Sequence, residues 1–299
     1  MRLSFYCVLE VGIEDPDEPK DPETPHFIPA YSQKVKASKE FQTFQFDHSF
    51  VLNSLKSSME GYVFHNQPLD TDDLLEQTVK LFNSCKTSLE LFDMLHNMRA
   101  YDDSTYAHSL NVALICRRIG KWLKVDAATL DTLTLCGLLH DIGKLKIPDE
   151  ILNKPDKYTD EEFDLVKRHT KFGYELLKTL NIDPHIKKAA LLHHERCDGS
   201  GYPLKATQKD LDDFSMVVAI ADVYDAMTAA RSYRAPLCPF QVIERFEQEG
   251  LQKYKPKFIL TFLQHIASTY QNNRVLLSNG QSANIVMLNQ QHLARPIVQ

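Results

Sequence analysis

The sequence predicts an all-α fold. Apolar residues recur near 3.6-residue spacing through most of residues 38–271, glycine is sparse at 10 of 299 residues, and a strand-and-turn pattern is confined to residues 272–299. With 43% hydrophobic and 25% charged residues, the chain has material for one large domain, or a medium domain with appendages, and is neither disordered nor low in complexity.

Residues 1–37 read as a short apolar start and an acidic, Pro-rich linker. Leu3 to Ile13 is interrupted by Glu10 and runs into prolines and carboxylates rather than a small-residue cleavage site, so no signal peptide is expected. Pro16, Pro19, Pro22 and Pro25 recur with a period of three, with five carboxylates around them and Pro29 behind, which favours an exposed extended segment. Residues 38–100 are expected to form a helical N-terminal region, with Phe41, Phe44, Phe46 and Leu52 and then Leu74, Val79, Leu81, Leu89, Leu91, Leu95 and Met98 near helical spacing. This suits a regulatory lead-in or a dimerisation segment, and a homodimer through the helix near residues 71–99 is one expectation.

Residues 101–271 read as the main domain, a succession of helices near 104–123, 127–142, 185–196, 212–230, 239–250 and 256–271. Thr159 and Glu162 form a capping box that opens a further helix carrying Phe163, Val166, Phe172, Leu176 and Leu180. In residues 272–299, Val275 to Leu277 and Ile285 to Leu288 flank Asn279-Gly280, the signal of a type I′ turn, so the chain should close on a small β-hairpin appendage.

Composition narrows the function. The net charge is −6 and no Lys/Arg run is long enough to track a phosphate backbone, so no nucleic-acid polymer is expected as partner. No window offers about 18 uncharged apolar residues, so no membrane span is expected. Cys7, Cys85, Cys116, Cys136, Cys197 and Cys238 are scattered without a C-x-x-C pair, as in a reducing, cytoplasmic setting.

The chemistry is carried by histidine and aspartate. His108 is in line with Val112, Ile115, Ile119 and Trp122; His169 with Val166, Phe172 and Leu176; His193 follows Ile186, Ala189 and Ala190. Asp222 sits inside Val217-Val218-Ala219-Ile220-Ala221-Asp222-Val223, where a lone carboxylate is costly to bury unless a cation faces it. One inward histidine is usually a satisfied core residue. His108, His140, Asp141, His169, His193, His194 and Asp222 together are hard to explain as packing. Imidazole and carboxylate without thiolate suit iron, manganese or zinc, and this set can supply two metals if one carboxylate bridges them. Asp141 is the best bridge, since His140 can serve one ion while the two carboxylate oxygens reach both. Two ions that share a water acidify it, which is hydrolytic chemistry.

The ordered series His140-Asp141-Ile142-Gly143-Lys144, Ile147-Pro148-Asp149, His193-His194-Glu195-Arg196-Cys197-Asp198-Gly199-Ser200-Gly201-Tyr202-Pro203 and Ala221-Asp222-Val223-Tyr224-Asp225-Ala226 resembles the HD-GYP branch of the HD-domain phosphohydrolases, over roughly residues 100–271. The resemblance implies an HD-type helical bundle of bacterial, cytoplasmic origin that hydrolyses cyclic di-GMP to pGpG and/or GMP, with two divalent metal ions, iron or manganese. It places one ion on His108, His140, Asp141 and Asp222 and the other on Asp141, His169, His193 and His194. Asp141 and Lys144 become catalytic, with Lys144 on a phosphate oxygen. Gly201, Tyr202 and Pro203, with Arg231 and Arg234, become substrate contacts. Some members carry a glutamate one turn before the first histidine for a third metal; here Ser104 stands there, so two metals are expected. Asp102 and Asp103 lie beside it. Two further readings stay open: a phosphodiesterase for another cyclic dinucleotide such as 3′,3′-cyclic GMP-AMP or for a linear nucleotide, and a non-catalytic receptor that binds the dinucleotide or a partner diguanylate cyclase through the Tyr202 loop.

Overall fold

The computed structural model describes residues 31–98, 104–154, 156–229, 237–277 and 281–299. The Pro-rich segment, Asp102, Asp103, Arg231, Arg234 and Asn279-Gly280 lie outside the described residues. The described helices are α1 (Tyr31–Ala37), α2 (Lys39–His65), α3 (Thr71–Ser84), α4 (Ser88–Met98), α5 (Thr105–Trp122), α6 (Ala127–Leu139), α7 (Asp149–Leu152), α8 (Asp160–Lys167), α9 (His169–Leu177), α10 (Pro184–Leu192), α11 (Asp213–Thr228), α12 (Pro239–Glu249) and α13 (Pro256–Thr269). Short 3-10 turns occupy Ile142–Lys146 and Leu251–Lys253. No described helix is long and apolar enough to cross a membrane.

Polar caps start the helices that carry the site. Ser104 accepts from Ala107 N, Asp126 from Thr129 N and Asp212 from Ser215 N, while Thr159 and Glu162 close the expected capping box. The core is built on α5, α6 and α11. Residues 109–120 of α5 are buried throughout, and α11 buries nearly every residue between Ser215 and Thr228, as expected of a helix apolar on all sides. Gly137 of α6 lies so close to α5 that a Cβ there would come 2.6 Å from Ala113 Cα, so the two helices need the bare backbone at that crossing.

The apolar pattern of residues 71–98 divides into two helices. Leu74, Leu81, Phe82, Leu91, Leu95 and Met98 are buried within the chain's own core, which accounts for that pattern. Phe46 and Phe50 on α2, by contrast, are 74% and 60% exposed. The single helix expected after Thr159 is broken at Arg168. There Arg168 N bonds Leu165 O, and the ring Nδ1 of His169 lies 2.6 Å from Val166 O, so an imidazole takes a carbonyl of the preceding helix. The hairpin strands appear as β1 (Arg274–Leu276) against β2 (Ser282–Met287), antiparallel, with Val275 opposite Ala283. The chain then adds a strand that the hairpin pattern did not foresee, β3 (Ile297–Val298), to give the order β1-β2-β3.

Candidate metal centre

Five helical elements bring the seven predicted ligands together. His108 lies in the first turn of α5, His140 caps the C-terminus of α6, His169 opens α9, His193 caps α10 with His194 beside it, and Asp222 lies within α11. Asp141 precedes the 3-10 turn Ile142–Lys146, which presses on α9 so closely that a Cβ on Gly143 would come 2.0 Å from His169 O and 2.4 Å from Gly173 N. Glycine at 143 thus lets Asp141 and His169 share one site.

The donor atoms fall into two clusters, Asp141 with His169, His193 and His194, and His108 with His140 and Asp222; within each, all lie within 4.8 Å of one another. Asp141 stands between the two. Its Oδ1 is 3.3 Å from His169 Nε2 and 3.6 Å from His193 Nε2, while its Oδ2 is 3.2 Å from His140 Nε2 and 3.6 Å from His108 Nε2. Asp222 Oδ1 is 3.1 Å from His108 Nε2, and its Oδ2 is 3.6 Å from His194 Nδ1. His140 Nε2 and Asp141 Oδ1 are buried without a hydrogen-bond partner. Buried polar atoms in that condition are costly unless a further group satisfies them, and an all-nitrogen-and-oxygen donor set with two carboxylates fits divalent cations. The residues therefore fit a two-ion centre, one ion to each cluster.

Comparison with known proteins identifies the family. The HD-domain profile matches residues 73–258, more than half of the chain. The chain belongs to the HD-domain family. The HD domain is similar to 3'3'-cGAMP-specific phosphodiesterase 2 of Vibrio cholerae, 34% identical over 183 residues that make up 60% of this chain and 35% of that protein. It is also similar to a cyclic di-GMP phosphodiesterase of Thermotoga maritima, 35% identical over 178 residues, 58% of this chain and 48% of that protein. The chain thus spans less than half the length of either curated relative. Among solved structures, Bd1817, a HDG"Y"P protein from Bdellovibrio bacteriovorus, aligns with a TM-score of 0.61 at 18% identity, covering 78% of this chain and 74% of that one, a likeness of fold.

Protonation in the HD domain site follows from burial and from the two aspartates. Burial alone would push the Asp141 carboxyl up, but His140 and the Lys144 ammonium beside it hold it well below the carboxylate range. Asp222 is likewise held low, chiefly by His108, against its burial. Burial pushes His169 down to about 3 and lowers His193 and His194 as well, so these three rings are neutral and able to donate lone pairs at neutral pH. His108 goes the other way: its burial is outweighed by Asp222 and Asp225, and its pKa rises to about 9.

The centre opens on a cleft of about 850 Å³. His108, His194, Asp222 and Lys144 line it, whereas His140, Asp141, His169 and His193 lie behind them at 0–1% exposure. Lys144 Nζ is 2.5 Å from Asp141 Oδ2. Gly201, Tyr202 and Pro203 are not among the described lining residues. Tyr202 instead backs His194, with ring centroids 4.7 Å apart and its N–H donating to His194 O. Gly201 is held close to the chain, since a Cβ would come 2.4 Å from Glu195 Cα.

Three residues at the site went unselected in the sequence. Glu195, 2% exposed, accepts from Leu204 N at 2.6 Å and Ala206 N at 3.0 Å and so pins the Tyr202 loop to the histidine pair. Its place directly after the His193-His194 pair was the available signal. Asp225, one turn after Asp222, places Oδ2 2.8 Å from His108 Nδ1. Phe163 lines the cleft at 43% exposure, edge-on to Tyr202 at 6.4 Å, with Lys167 Nζ 4.5 Å from its ring centroid.

Proposed function

We propose that this chain is a metal-dependent phosphodiesterase that hydrolyses a cyclic dinucleotide, cyclic di-GMP, to pGpG and/or GMP in the bacterial cytoplasm. The observation that carries this reading is the Asp141 carboxylate set between two histidine clusters just behind the wall of a cleft. His108, His140, Asp141 and Asp222 would hold one ion and Asp141, His169, His193 and His194 the other, with iron or manganese suited to the donor set. When bound, two such ions supply Lewis-acid polarisation of the phosphate and acidify a shared water.

The chain's own residues complete the reaction site. Asp141, held ionised, contributes one oxygen to each cluster and cannot act as a proton donor near neutral pH. Lys144 is partly exposed on the cleft wall, where its ammonium can meet a non-bridging phosphate oxygen and stabilise charge that develops in the transition state. Neutral His169 and His193, buried behind the cleft, have lone pairs available to an ion. Phe163 offers an exposed ring on which a purine can stack, and Lys157 on the same wall brings positive charge to an anionic ligand. Tyr202 and Glu195 support this surface from behind by holding His194 and the loop after it.

The similarity to a 3'3'-cGAMP-specific phosphodiesterase favours a second reading of the same site, the mixed dinucleotide as substrate. One experiment addresses both. The chain, loaded with iron or with manganese, is incubated with cyclic di-GMP and 3',3'-cyclic GMP-AMP in competition, and products are read by chromatography. Faster loss of cyclic di-GMP supports the proposal, faster loss of the mixed dinucleotide moves it to the second substrate, and no hydrolysis of either with either metal overturns it.

A further inference from the structure

The histidines of the centre are held in two different ways. His140 Nδ1 lies 2.7 Å from Gly137 O, His169 Nδ1 2.6 Å from Val166 O and His193 Nδ1 2.9 Å from Ala189 O. Each of these rings stands at a helix end or break, where backbone carbonyls within reach are available to a ring N–H. The contact leaves Nε2 as the acceptor nitrogen and aims it at Asp141.

His108 has no such anchor. It lies inside the first turn of α5, which runs on to Trp122, and the carbonyl one turn back, Ser104 O, already accepts from His108 N at 3.0 Å. Its Nδ1 is met across the helix interface by Asp225 Oδ2 at 2.8 Å. Asp225 is 2% exposed, and one turn before it on α11 Asp222 places Oδ1 3.1 Å from the opposite ring nitrogen of His108. Two carboxylates three residues apart on one helix therefore grip both nitrogens of one imidazole.

We propose that Asp225 is a positioning residue of the metal centre: it accepts the Nδ1–H of His108, fixing the tautomer and rotation that turn the Nε2 lone pair toward His140 and Asp222. A carboxylate in this place also raises the basicity of the ring above what a backbone carbonyl can achieve, so the His108 cluster depends on Asp225 in a way the His169 cluster does not. The proposal rests on the two-ion reading of the site.

The test is a titration of the full metal-free chain with Mn2+, with free ion followed by electron paramagnetic resonance. The wild-type chain is expected to bind two ions. In Asp225→Ala, one ion should weaken by roughly 10- to 100-fold, the usual effect of losing a group that orients a ligand, while the other keeps its affinity. Asp225→Asn, whose amide oxygen still accepts the Nδ1–H, should restore part of the loss. In a His108→Ala background, Asp225→Ala should change nothing further, because the ring it positions is gone.

Unchanged Mn2+ binding in a folded Asp225→Ala chain, equal weakening of both ions, or the same loss with and without His108 would overturn the proposal. If Asp225→Ala does not fold, the isosteric Asp225→Asn decides, since a selective loss at one ion is expected and its absence overturns the proposal. A wild-type chain that binds fewer than two Mn2+ ions refutes the two-ion reading itself, an outcome distinct from wild-type binding with indifferent variants.

Discussion

Asp141→Asn is the sharpest perturbation of the site, because the amide keeps the shape of the carboxylate and removes its charge. Asp141 is 1% exposed and faces donors on both sides, with His169 and His193 at Oδ1 and His140, His108 and Lys144 at Oδ2. An asparagine has one oxygen to offer. The Lys144 ammonium, 2.5 Å from Oδ2, will claim that oxygen, which turns the amide NH2 toward His169 and His193. An ion held by the His169 cluster would then lose a ligand outright, and both ions of the proposed centre would lose a shared negative charge. A contact to a charged group contributes about 1.5–3 kcal/mol, or roughly 10- to 100-fold in affinity, and the lost direct ligand bond comes on top of this. The expected result is a chain whose His169-cluster ion is weakened by more than about 100-fold and whose second ion is weakened by about 10-fold or more. The assay is the Mn2+ titration together with circular dichroism to show that the helices persist. A folded Asp141→Asn chain that binds two Mn2+ ions with wild-type affinity would refute the bridging placement, since an aspartate on an ordinary surface would shift stability by about 0.5 kcal/mol and leave metal content alone.

Lys144→Ala should lower turnover of the cyclic dinucleotide by about 10²–10³-fold with two ions still bound, the scale of one lost transition-state donor, and equal turnover in a metal-replete variant would remove its role. Phe163→Ala should raise KM by about 10-fold or more, from a stacking contribution of about 1–3 kcal/mol per base, with Phe163→Tyr restoring it; an unchanged KM would exclude the ring from base contact. The metal-free chain should have its highest melting temperature near pH 6.5. His169 takes a proton near 6.5 when unfolded but only near 3 when folded, so stability falls as the pH drops through that window. The stabilisation from His108, folded pKa about 9, is complete below 6.5 and is lost as the pH rises toward 9. Saturating Mn2+ should flatten the alkaline limb, and a melting temperature that rises steadily from pH 6.5 to 9 without metal would contradict the His108 placement.

What the sequence determined by itself was local. Thr159 with Glu162 marks a helix start, and the apolar spacing marks buried faces, because capping and amphipathicity depend on residues three or four apart. The ligand types were legible for the same reason, since a carboxylate inside the apolar run around Asp222 needs a cation wherever it is buried. Helix ends were less legible: α6 and α10 stop at His140 and His193, short of the expected residues 142 and 196, and α8 parts from α9 at Arg168. In all three places an imidazole takes a carbonyl three or four residues back, from its own helix at His140 and His193 and from the preceding one at His169, and nothing in the spacing of apolar residues announces that competition. The division of the ligands into two clusters was implied by resemblance, not by spacing. Only the packing of α5, α6, α9, α10 and α11 sets His108, Asp141, His169, His193 and Asp222 within a few ångströms of one another, and only that packing brings Asp225 to His108 and Glu195 to the backbone of Leu204 and Ala206. Such contacts join residues whose separation in sequence has no fixed relation to their distance in space. The composition of each helix states what its faces need, and the tertiary structure decides which neighbour meets that need.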